Sequence, residues 1–499
     1  MMKQTLVKVC VFAVLATFVA CNSPGNFSAN SLGEGAADLV ILGGRVMDPE
    51  TGLDAMRNVS VAGGKIVGVT EATVTGRDTI DASGLVVAPG FIDLHAHGQD
   101  SVSARLQAQD GVTTGLEMEI GVYPVAEWIA SREGQAIINY GATVSHAGAR
   151  VKLLTGIDAG HPITARPGEQ SALASEAVYE ELADDQILEL NGLINQGLNE
   201  GGLGIGFGIT YTPGASRTEI YRAFQQAASR NAPAYVHLRG LNSGGTLGAF
   251  QEVISNAVST GAAVHIVHMN SSADEMARTT LEMIRGARES GIDITTEAYP
   301  YTAGSTRIES ALFDAWDDET EEAYGRLQWS GTTERLNGES YRRYREQGGW
   351  VVIHGRSEET NEWIVAQPDV MVASDGIPYL YEAVHPRGAG TFARILGHYV
   401  RDRSVLSLMD ALAKMTIHPA KRVEGFAPMM TRKGRVQVGA DADLTLFDAG
   451  TIIDRATYAD PDASSEGIYH VLVEGVSVVR DGDVVPGVYP GRPIMSGAS

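Results

Sequence analysis

Four histidines and an aspartate lie at the ends of segments whose residues favour β-strands. His95 and His97 are separated by one residue, so on a strand both side chains lie on the same side. His237 and His268 end two later apolar runs, and Asp375 ends the last one. Neutral imidazole nitrogens and a carboxylate form a ligand set suited to zinc or a similar divalent ion. One such histidine is most often a hydrogen-bonded core residue, but the whole set at matching positions predicts a metal site.

The segments that would position these residues form a repeating pattern. Between residues 89 and 423, short apolar runs alternate with helical patterns, as in residues 219–230 and 273–290. In chain order the strand candidates are GFIDLHAH, VTTGLEME, ATVSHAG, LGIGFGIT, AYVHLRG, AVHIVHM, IDITTEAY and VMVASDG. Eight strand and helix pairs predict an α/β protein with a TIM-like (β/α)8 barrel; a doubly wound open sheet is the alternative. A barrel would bring the strand-end histidines and the aspartate around one mouth.

Two β-rich segments flank the barrel region. Residues 38–88 and 424–492 contain short apolar or alternating runs broken by glycine, which is typical of antiparallel strands with tight turns. Because chain ends often lie close together, the two segments are predicted to form one small β-sandwich domain. A polar insertion at about residues 306–349 separates the seventh and eighth strands, and its place in a loop after a strand predicts a position over the barrel mouth.

The first 20 residues have the pattern of a secretory signal peptide. Lys3 and Lys8 precede an apolar run of about 12 residues, which is too short to span a bilayer as a helix. The residues before Cys21 are similar to a bacterial lipoprotein signal, so Cys21 is predicted to become a lipid-bearing N-terminus; ordinary secretion and an uncleaved anchor are the alternatives. Residues 21–37 are rich in Gly, Ser, Asn and Ala and are predicted to be a flexible tether. We therefore expect a periplasmic or membrane-anchored bacterial lipoprotein, with the lipid as its only membrane contact.

The composition is that of a soluble globular protein with a large core. Of 499 residues, 44% are hydrophobic and 20% are charged, and the formal net charge is −23. So negative a chain repels phosphate backbones, which argues against nucleic acid and leaves a small-molecule substrate as the expected partner. The only cysteines, Cys10 and Cys21, precede the predicted body, so its metal ligands must be His, Asp, Glu or a modified Lys. The sequence does not predict the oligomeric state.

Several segments between about residues 38 and 492 form a specific set. In order they are PGFIDLHAH, GLGIGFGITYTPGA with YVHLRG, EAYPYTAGST, ASDGIPY with HPRGAGTF, and GADADLTLFD. Together they resemble the N-acyl-D-amino-acid deacylases, also called D-aminoacylases, of the amidohydrolase superfamily. The resemblance implies a metal-dependent barrel hydrolase of linear amides. It would act on N-acyl-D-amino acids or related D-configured peptides, with one or two divalent ions such as Zn²⁺.

The resemblance also implies roles for individual residues. Of the four histidines, His237 and His268 match the principal metal ligands of that family, and the other two match its first-strand pair. Asp375 matches the catalytic acid, which takes a proton from the attacking water and returns it to the leaving amine. Tyr211 matches the tyrosine of a Tyr-Pro-Gly segment, which implies a hydrogen bond to the oxyanion.

One departure from the family concerns the group that bridges two metal ions. The family uses a cysteine after the second strand, where this chain reads GVTTGLEMEIG. Glu117 and Glu119 share one side of that strand, and two buried carboxylates without a cation would be costly. We therefore favour Glu119, which lies nearer the active end, as a metal ligand, with Glu117 as second choice. Carboxylated Lys152 is a weaker candidate, because it follows the third strand instead of lying on the fourth.

A second departure concerns the substrate carboxylate. The family binds it partly with a lysine two residues after the sixth-strand histidine, where this chain has Asn270. A neutral amide does not replace that charge, so the substrate either lacks the usual carboxylate or presents it differently. The candidate substrate contacts are Asn270, Tyr299, Ser305 and His385, with the cations Arg239, Arg307 and Arg387 as compensation for the missing lysine.

The remaining histidines have no predicted catalytic role. His146 is expected to face the barrel from the third strand, and His265 has the opposite parity to His268 on its strand. His354 is expected to open the loop before the last strand. The others are expected to be structural or exposed; they are His161, His398, His418 and His470.

Two other functions stay open on the same residues. One is a cyclic-amide or dipeptide hydrolase of the same superfamily, which would differ in whether the substrate needs a free carboxylate. The other is a non-catalytic binding lipoprotein that keeps the barrel. Degenerate relatives usually lose metal ligands, whereas this chain keeps the whole set of histidines and the aspartate.

Overall fold

The computed structural model describes residues 37–166, 169–240, 245–330 and 332–497. The expected signal peptide, the lipidation site Cys21 and the expected tether up to residue 36 lie outside these ranges. Ala37, which the sequence assigns to the tether, is the first residue of a strand. Among the described residues, no helix is long and apolar enough to cross a membrane.

The strands of the described residues belong to three sheets. In chain order they are β1 (Ala37–Asp48), β2 (Leu53–Ala62), β3 (Lys65–Thr70), β4 (Gly76–Asp81), β5 (Val86–Pro89), β6 (Phe91–Asp93), β7 (Val112–Val122), β8 (Asn139–Ser145), β9 (Ile205–Gly208), β10 (Ala234–His237), β11 (Val264–Ile266), β12 (Ile294–Ala298), β13 (Gly304–Arg307), β14 (Leu327–Trp329), β15 (Trp350–Ile353), β16 (Val370–Val372), β17 (Leu444–Phe447), β18 (Ile468–Val473), β19 (Val476–Arg480) and β20 (Asp483–Val484).

One sheet is a parallel barrel. Its order is β16-β12-β11-β10-β9-β8-β7-β6, and each strand runs parallel to its neighbours. A further parallel bridge between Ala96 and Gly376 joins the ends of the first and last strands and closes the ring. The eight strand segments predicted from the sequence are these eight strands in the predicted order, so the (β/α)8 barrel is confirmed.

Helices follow the barrel strands and pack around them, except for two that lie in the insertion, α9 and α10. In chain order the helices are α1 (Ser101–Gln109), α2 (Val125–Ala130), α3 (His146–Thr155), α4 (Asp184–Asn199), α5 (Arg217–Ser229), α6 (Thr246–Thr260), α7 (Met269–Ser272), α8 (Ala277–Glu289), α9 (Glu321–Tyr324), α10 (Gly338–Gln347), α11 (Glu358–Ala366), α12 (Arg387–Arg394), α13 (Leu408–Met415) and α14 (Ile417–Glu424). A π-helical stretch over Ile395–Asp402 continues α12.

Helix α5 shows how the sequence builds the layer around the barrel. The Ser216 hydroxyl caps its start by accepting the backbone N–H of Glu219 at 3.1 Å. Ile220 and Phe224, four residues apart, are buried on the face toward the barrel. The Phe224 ring lies 5.4 Å from that of Phe207 on β9. Burying an apolar side chain of this size contributes about 1.5–3 kcal/mol, so such contacts fix the strands whose ends carry the site.

The nine-stranded sheet joins the N-terminal and C-terminal segments. Its order is β20-β19-β18-β17-β5-β1-β2-β3, with β4 paired to β1, and the antiparallel pair β5 and β17 connects the two segments. The hydrogen bonds run continuously through both segments, whereas the predicted sandwich has two separate sheets. Residues from both segments nevertheless share one apolar core, among them Ile41, Val59, Leu444 and Leu472. The two segments thus form one sheet with one apolar core.

The third sheet belongs to the insertion between the seventh and eighth barrel strands. β13 and β14 both pair antiparallel with β15. The insertion therefore extends over residues 304–353 and not 306–349 as expected, because its flanking apolar residues pair with each other. It has an apolar core of its own, formed by Ile308, Phe313, Tyr324, Leu327, Leu336, Tyr341 and Val351. We call residues 304–353 the insertion sheet.

Candidate metal centre

The C-terminal ends of the barrel strands bring the predicted metal ligands into one place. Each of the six residues is 7% exposed or less; they are His95, His97, Glu119, His237, His268 and Asp375. Two of them have positive φ angles, 32° at His268 and 51° at Asp375. A non-glycine residue in that region is strained, and such strain is concentrated at functional positions.

The first group of ligand atoms lies between the ends of β6 and β16. His95 Nε2 and His97 Nε2 are 3.0 Å apart, and Asp375 Oδ1 lies 3.4 Å from each of them. Glu119 Oε2 lies 3.3 Å from His95 Nε2 and 3.2 Å from His97 Nε2. Atoms bound to one cation at about 2.0–2.2 Å stand about 3 Å apart. These four atoms can therefore share one ion.

The second group lies at the other oxygen of the same glutamate. Glu119 Oε1 is 2.7 Å from His237 Nδ1 and 2.8 Å from His268 Nε2. The two histidine nitrogens are 3.0 Å apart. Because its two carboxylate oxygens face the two groups, Glu119 is placed to bridge two ions.

The hydrogen bonds behind the first histidine pair show why a cation fits between them. His95 Nδ1 lies 2.7 Å from Glu297 Oε1, and His97 Nδ1 lies 2.6 Å from Glu117 Oε2. An ionised carboxylate only accepts hydrogen bonds, so each Nδ1 carries a proton and donates it. In neutral rings the two Nε2 lone pairs then face each other at 3.0 Å, which is repulsive unless a cation lies between them. Carboxylates behind metal-binding histidines orient the rings in this way.

The charge of the site also favours cations. Four buried carboxylates surround the histidines, at Glu117, Glu119, Glu297 and Asp375. Burial by itself would lower the pKa of His95, but the facing carboxylates outweigh it and raise that pKa well above its usual value. Burial would likewise raise the pKa of Glu117, but two adjacent imidazoles lower it to about 2. Protons on the histidines and metal ions therefore compete to balance the negative charge of these carboxylates.

Two alternatives for the bridging position do not occupy it. Glu117 Oε2 accepts hydrogen bonds from His97 Nδ1 and His161 Nε2, both at 2.6 Å, on the side of His97 that faces away from the ligand groups. Lys152 lies on the outer face of α3 and donates to Asp158 at 2.9 Å, with its side chain 33% exposed. The carboxylated-lysine alternative is therefore wrong, and of the two glutamates Glu119 is the one that faces both groups.

Several histidines lie elsewhere than the sequence indicates. His161, which was expected to be structural or exposed, lies beside the site: its Nε2 donates to Glu117 and its ring lies 5.9 Å from that of His97. His146 begins helix α3 and does not face the barrel; its Nε2 lies 2.9 Å from Glu219 in the helical layer. His354 follows β15 of the insertion sheet and contacts Gln328 at 3.0 Å.

A buried glutamate behind the site has no counterpart in the sequence analysis. One oxygen of Glu297 contacts His95, and the other lies 3.1 Å from His265 Nε2. Glu297 thus connects a metal-facing histidine to the histidine of opposite parity on β11. The signal that could have found it is its place in EAYPY at the end of the seventh strand, where barrel enzymes carry site residues.

Asp375 also contacts a buried arginine. Arg387 Nη1 and Nη2 donate to its two carboxylate oxygens at 2.8 and 2.9 Å. Burial would raise the pKa of Asp375, but the Arg387 guanidinium and the nearby histidines lower it overall. His385 accepts the backbone N–H of Arg387 at 3.1 Å and donates to Ala303 O at 3.0 Å. Backbone groups thus satisfy both ring nitrogens, and His385 holds the loop that carries Arg387. Contrary to the expectation of a substrate contact, it does not face the cavity.

A cavity opens above the two ligand groups, between the barrel mouth and the insertion sheet. Besides the ligands, its lining includes Tyr211, Ser271, Tyr299, Ser305, Thr306, Arg307, Trp350, Arg356 and Arg387. The Tyr211 hydroxyl lies 3.1 Å from that of Thr306. Burial and the Glu119 carboxylate raise the pKa of Tyr211, so the phenol keeps its proton and can donate a hydrogen bond into the cavity.

Besides His385, two further expected substrate contacts lie outside this lining. Asn270 is buried, and its amide donates to Tyr299 O and Asn361 Oδ1, both at 2.9 Å, so it supports the segment that carries Tyr299. Arg239 donates to Glu252 at 3.1 Å and to Ala215 O at 2.9 Å. The charge of Arg239 is thus already balanced by a carboxylate. The surplus of acidic residues in the chain favours such pairs.

Comparison with known proteins agrees with this arrangement. Residues 78–479 match the amidohydrolase family. An N-acyl-D-glutamate deacylase of Alcaligenes xylosoxydans xylosoxydans is 31% identical over an alignment covering 93% of this chain and 97% of that protein. A D-aminoacylase of the same organism is 28% identical, covering 93% of this chain and 98% of that protein.

Solved structures show the same similarity. The N-acyl-D-glutamate deacylase from Bordetella bronchiseptica, complexed with zinc and a phosphonate mimic of the tetrahedral intermediate, has a TM-score of 0.77 and 27% identity. A D-aminoacylase structure also has a TM-score of 0.77, with 26% identity, and both cover 92% of this chain and 100% of the other. With paired ligand groups at the strand ends of its barrel, the chain belongs to the amidohydrolase family of metal-dependent hydrolases.

Proposed function

We propose that this protein is a zinc-dependent deacylase of N-acyl-D-amino acids. The observation that carries the proposal is the pair of ligand groups joined by Glu119, below a cavity lined by Tyr299, Ser305 and Arg387. The relatives support the substrate class, because an N-acyl-D-glutamate deacylase and a D-aminoacylase align with 93% of the chain. The zinc in the B. bronchiseptica complex supports the metal.

The ligand sets suggest which residues would hold the ions. One ion would be held by His95, His97 and Asp375, another by His237 and His268, and Glu119 would be shared. When bound, divalent ions supply Lewis acidity that polarises an amide carbonyl and lowers the pKa of water. Glu297 and Glu117 accept the Nδ1 protons of His95 and His97, so in the neutral rings the Nε2 atoms that would face an ion carry no proton.

We assign the proton transfer to Asp375. Its lowered pKa keeps the carboxylate ionised at neutral pH, so it can accept a proton as a water oxygen bonds to the amide carbon. It then gives that proton to the nitrogen as the carbon–nitrogen bond breaks, which releases the acyl carboxylate and the free amine of the amino acid. Tyr211 donates a hydrogen bond to the carbonyl oxygen as negative charge develops there.

The test is hydrolysis of N-acetyl-D-glutamate and N-acetyl-D-methionine by the zinc-loaded protein, with the L-enantiomers and a dihydropyrimidine as comparisons. We expect turnover of the D-substrates, and Asp375→Asn should lower kcat by about 10²- to 10⁴-fold, because the amide cannot accept the proton. Metal content of the variant is measured in parallel. Hydrolysis of the ring amide alone would favour a cyclic-amide hydrolase, and full activity of Asp375→Asn would remove its assigned role.

We also propose that the protein is anchored in the bacterial cell envelope by a lipid on Cys21. The support is the sequence alone: Lys3 and Lys8, the apolar run after them, and the lipoprotein-like residues before the cysteine. Cells grown with labelled palmitate should incorporate the label into the membrane-bound protein. Cys21→Ser should abolish labelling and move the protein to the soluble fraction, and labelling that persists in this variant would contradict the proposal.

A further inference from the structure

Three guanidinium groups line the cavity, and two of them are paired with carboxylates. Arg387 holds Asp375 through two hydrogen bonds. Arg307 Nε donates to Glu309 at 2.7 Å. For Arg356, no carboxylate oxygen lies within 4.0 Å among the residues that the structure describes. The cavity therefore keeps one positive charge that no described carboxylate balances.

Neutral side chains hold Arg356 at the cavity wall. The residue lies between β15 and α11, where the chain leaves the insertion sheet. Its Nη1 donates to Tyr299 Oη at 2.7 Å, and its Nη2 donates to Ser271 Oγ at 2.8 Å. These hydroxyls fix the direction of the guanidinium without cancelling its charge. Because a guanidinium has five N–H donors, others remain for a ligand.

Gly304 leaves the space that this guanidinium occupies. A Cβ atom at position 304 would lie 2.5 Å from Arg356 Nη2 and 3.3 Å from Tyr299 Oη. A side chain there would have to displace the arginine, so the glycine and the arginine form one local arrangement. The first residue of the insertion sheet thus leaves room for a cation that lies just after the sheet's last strand.

Tyr299 lies between two cations. The centroid of its ring is 4.8 Å from the Arg387 guanidinium carbon and 5.6 Å from that of Arg356. Two like charges this close repel each other in a cavity of low dielectric constant, and Asp375 balances only the first of them. An anion at Arg356 would balance the second. A planar guanidinium matches a carboxylate in shape as well as charge.

We propose that Arg356 and the Tyr299 hydroxyl bind the α-carboxylate of the substrate, so that efficient hydrolysis requires a free carboxylate. Tyr299 accepts a hydrogen bond from Arg356 and keeps its own proton to donate. The inference rests on the proposed deacylase function and narrows its substrates to acyl amino acids with a free acid, as opposed to their amides or cyclic amides.

The experiment compares zinc-loaded wild type with Arg356→Met on N-acetyl-D-methionine and on N-acetyl-D-methioninamide. For the acid, kcat/KM should fall about 10- to 100-fold, mainly through KM, because a charge-assisted hydrogen bond is lost. For the amide it should change less than about 2-fold. Arg356→Lys should restore part of the loss, and Gly304→Ala should act in the same direction as Arg356→Met. Arg343→Met, at an arginine of the insertion sheet that is 55% exposed, is the matched control.

Each other outcome has a definite meaning. Equal losses on acid and amide, or an unchanged preference for the acid, would overturn the inference and leave Arg356 a structural residue. A loss confined to N-acetyl-D-glutamate would assign Arg356 to the side-chain carboxylate and also overturn it. If wild type hydrolyses no N-acyl-D-amino acid, the proposed function fails, and calorimetry of D-methionine against D-methioninamide still decides the inference: binding of the acid should weaken in Arg356→Met, and unchanged binding would overturn it.

Discussion

At the scale of single residues, Glu119 determines what kind of metal site the barrel can hold. Its two oxygens face different pairs of histidines, at 2.7 and 2.8 Å on one side and at 3.2 and 3.3 Å on the other. A carboxylate offers two separate oxygens, whereas a thiolate offers one sulfur to both ions. Glu119 can therefore serve as a ligand shared by two ions, in place of the cysteine that the D-aminoacylases use.

Replacing Glu119 with alanine is expected to remove one of the two ions that we propose for the site. The variant loses a ligand of both groups, which leaves three ligands in the first group and two in the second. Atomic spectroscopy of dialysed protein should therefore show one metal equivalent or fewer per chain, against two in wild type. Glu117→Gln is the matched control, because the amide oxygen can still accept the His97 N–H, and it should bind two equivalents at saturating zinc. Equal metal content in Glu119→Ala and wild type would show that Glu119 is not a shared ligand.

Residues of the site differ in how well the sequence predicts them. The strand-end histidines and Asp375 are predictable because a barrel directs the ends of its strands to one mouth. His161 and Arg356 are not, because each reaches the site from a loop whose path depends on packing far along the chain. From the sequence, Arg239 is as good a candidate for the substrate carboxylate as the other arginines. Only the structure shows that it is paired with Glu252.

At the scale of elements, apolar runs predict the barrel strands well because both faces of a parallel sheet are buried. The same signal misplaces the insertion. Its flanking strands β13 and β15 pair with each other, Thr306 opposite Val351, and this pairing is not visible in the polar residues between them. His146 was predicted to lie on a strand but begins a helix. The Ser145 hydroxyl caps that helix by accepting the backbone N–H of Gly148 at 2.9 Å, so the strand ends before His146.

At the scale of the whole molecule, the C-terminal segment closes the end of the barrel opposite the site. Pro493 pairs with Tyr140 beside β8, and Ile494 N donates to Tyr140 O at 2.7 Å. The Ile494 side chain is fully buried and packs in an apolar cluster with Leu116 and Leu203 of the barrel. The predicted domain limit at residue 492 therefore leaves out residues that contribute to the barrel core.

Ile494→Ala is expected to destabilise the protein without changing the site. Removing a fully buried aliphatic side chain costs about 2–5 kcal/mol of the free energy of unfolding. A thermal melt should show a lower Tm, while kcat and metal content of the folded variant stay at wild-type values. Met495→Ala, at a neighbouring side chain that is 37% exposed, should change the Tm much less. Equal Tm values for both variants would contradict the packing role of Ile494.

The pairing of β5 with β17 has a consequence for biosynthesis. Ile41 and Val59 leave the ribosome long before Leu444 and Leu472, the partners that complete their core. The N-terminal strands therefore remain without half of their sheet while the rest of the polypeptide is made. A nascent chain cannot complete this sheet until its later strands are made, so its unpaired strand edges are exposed to aggregation during that interval.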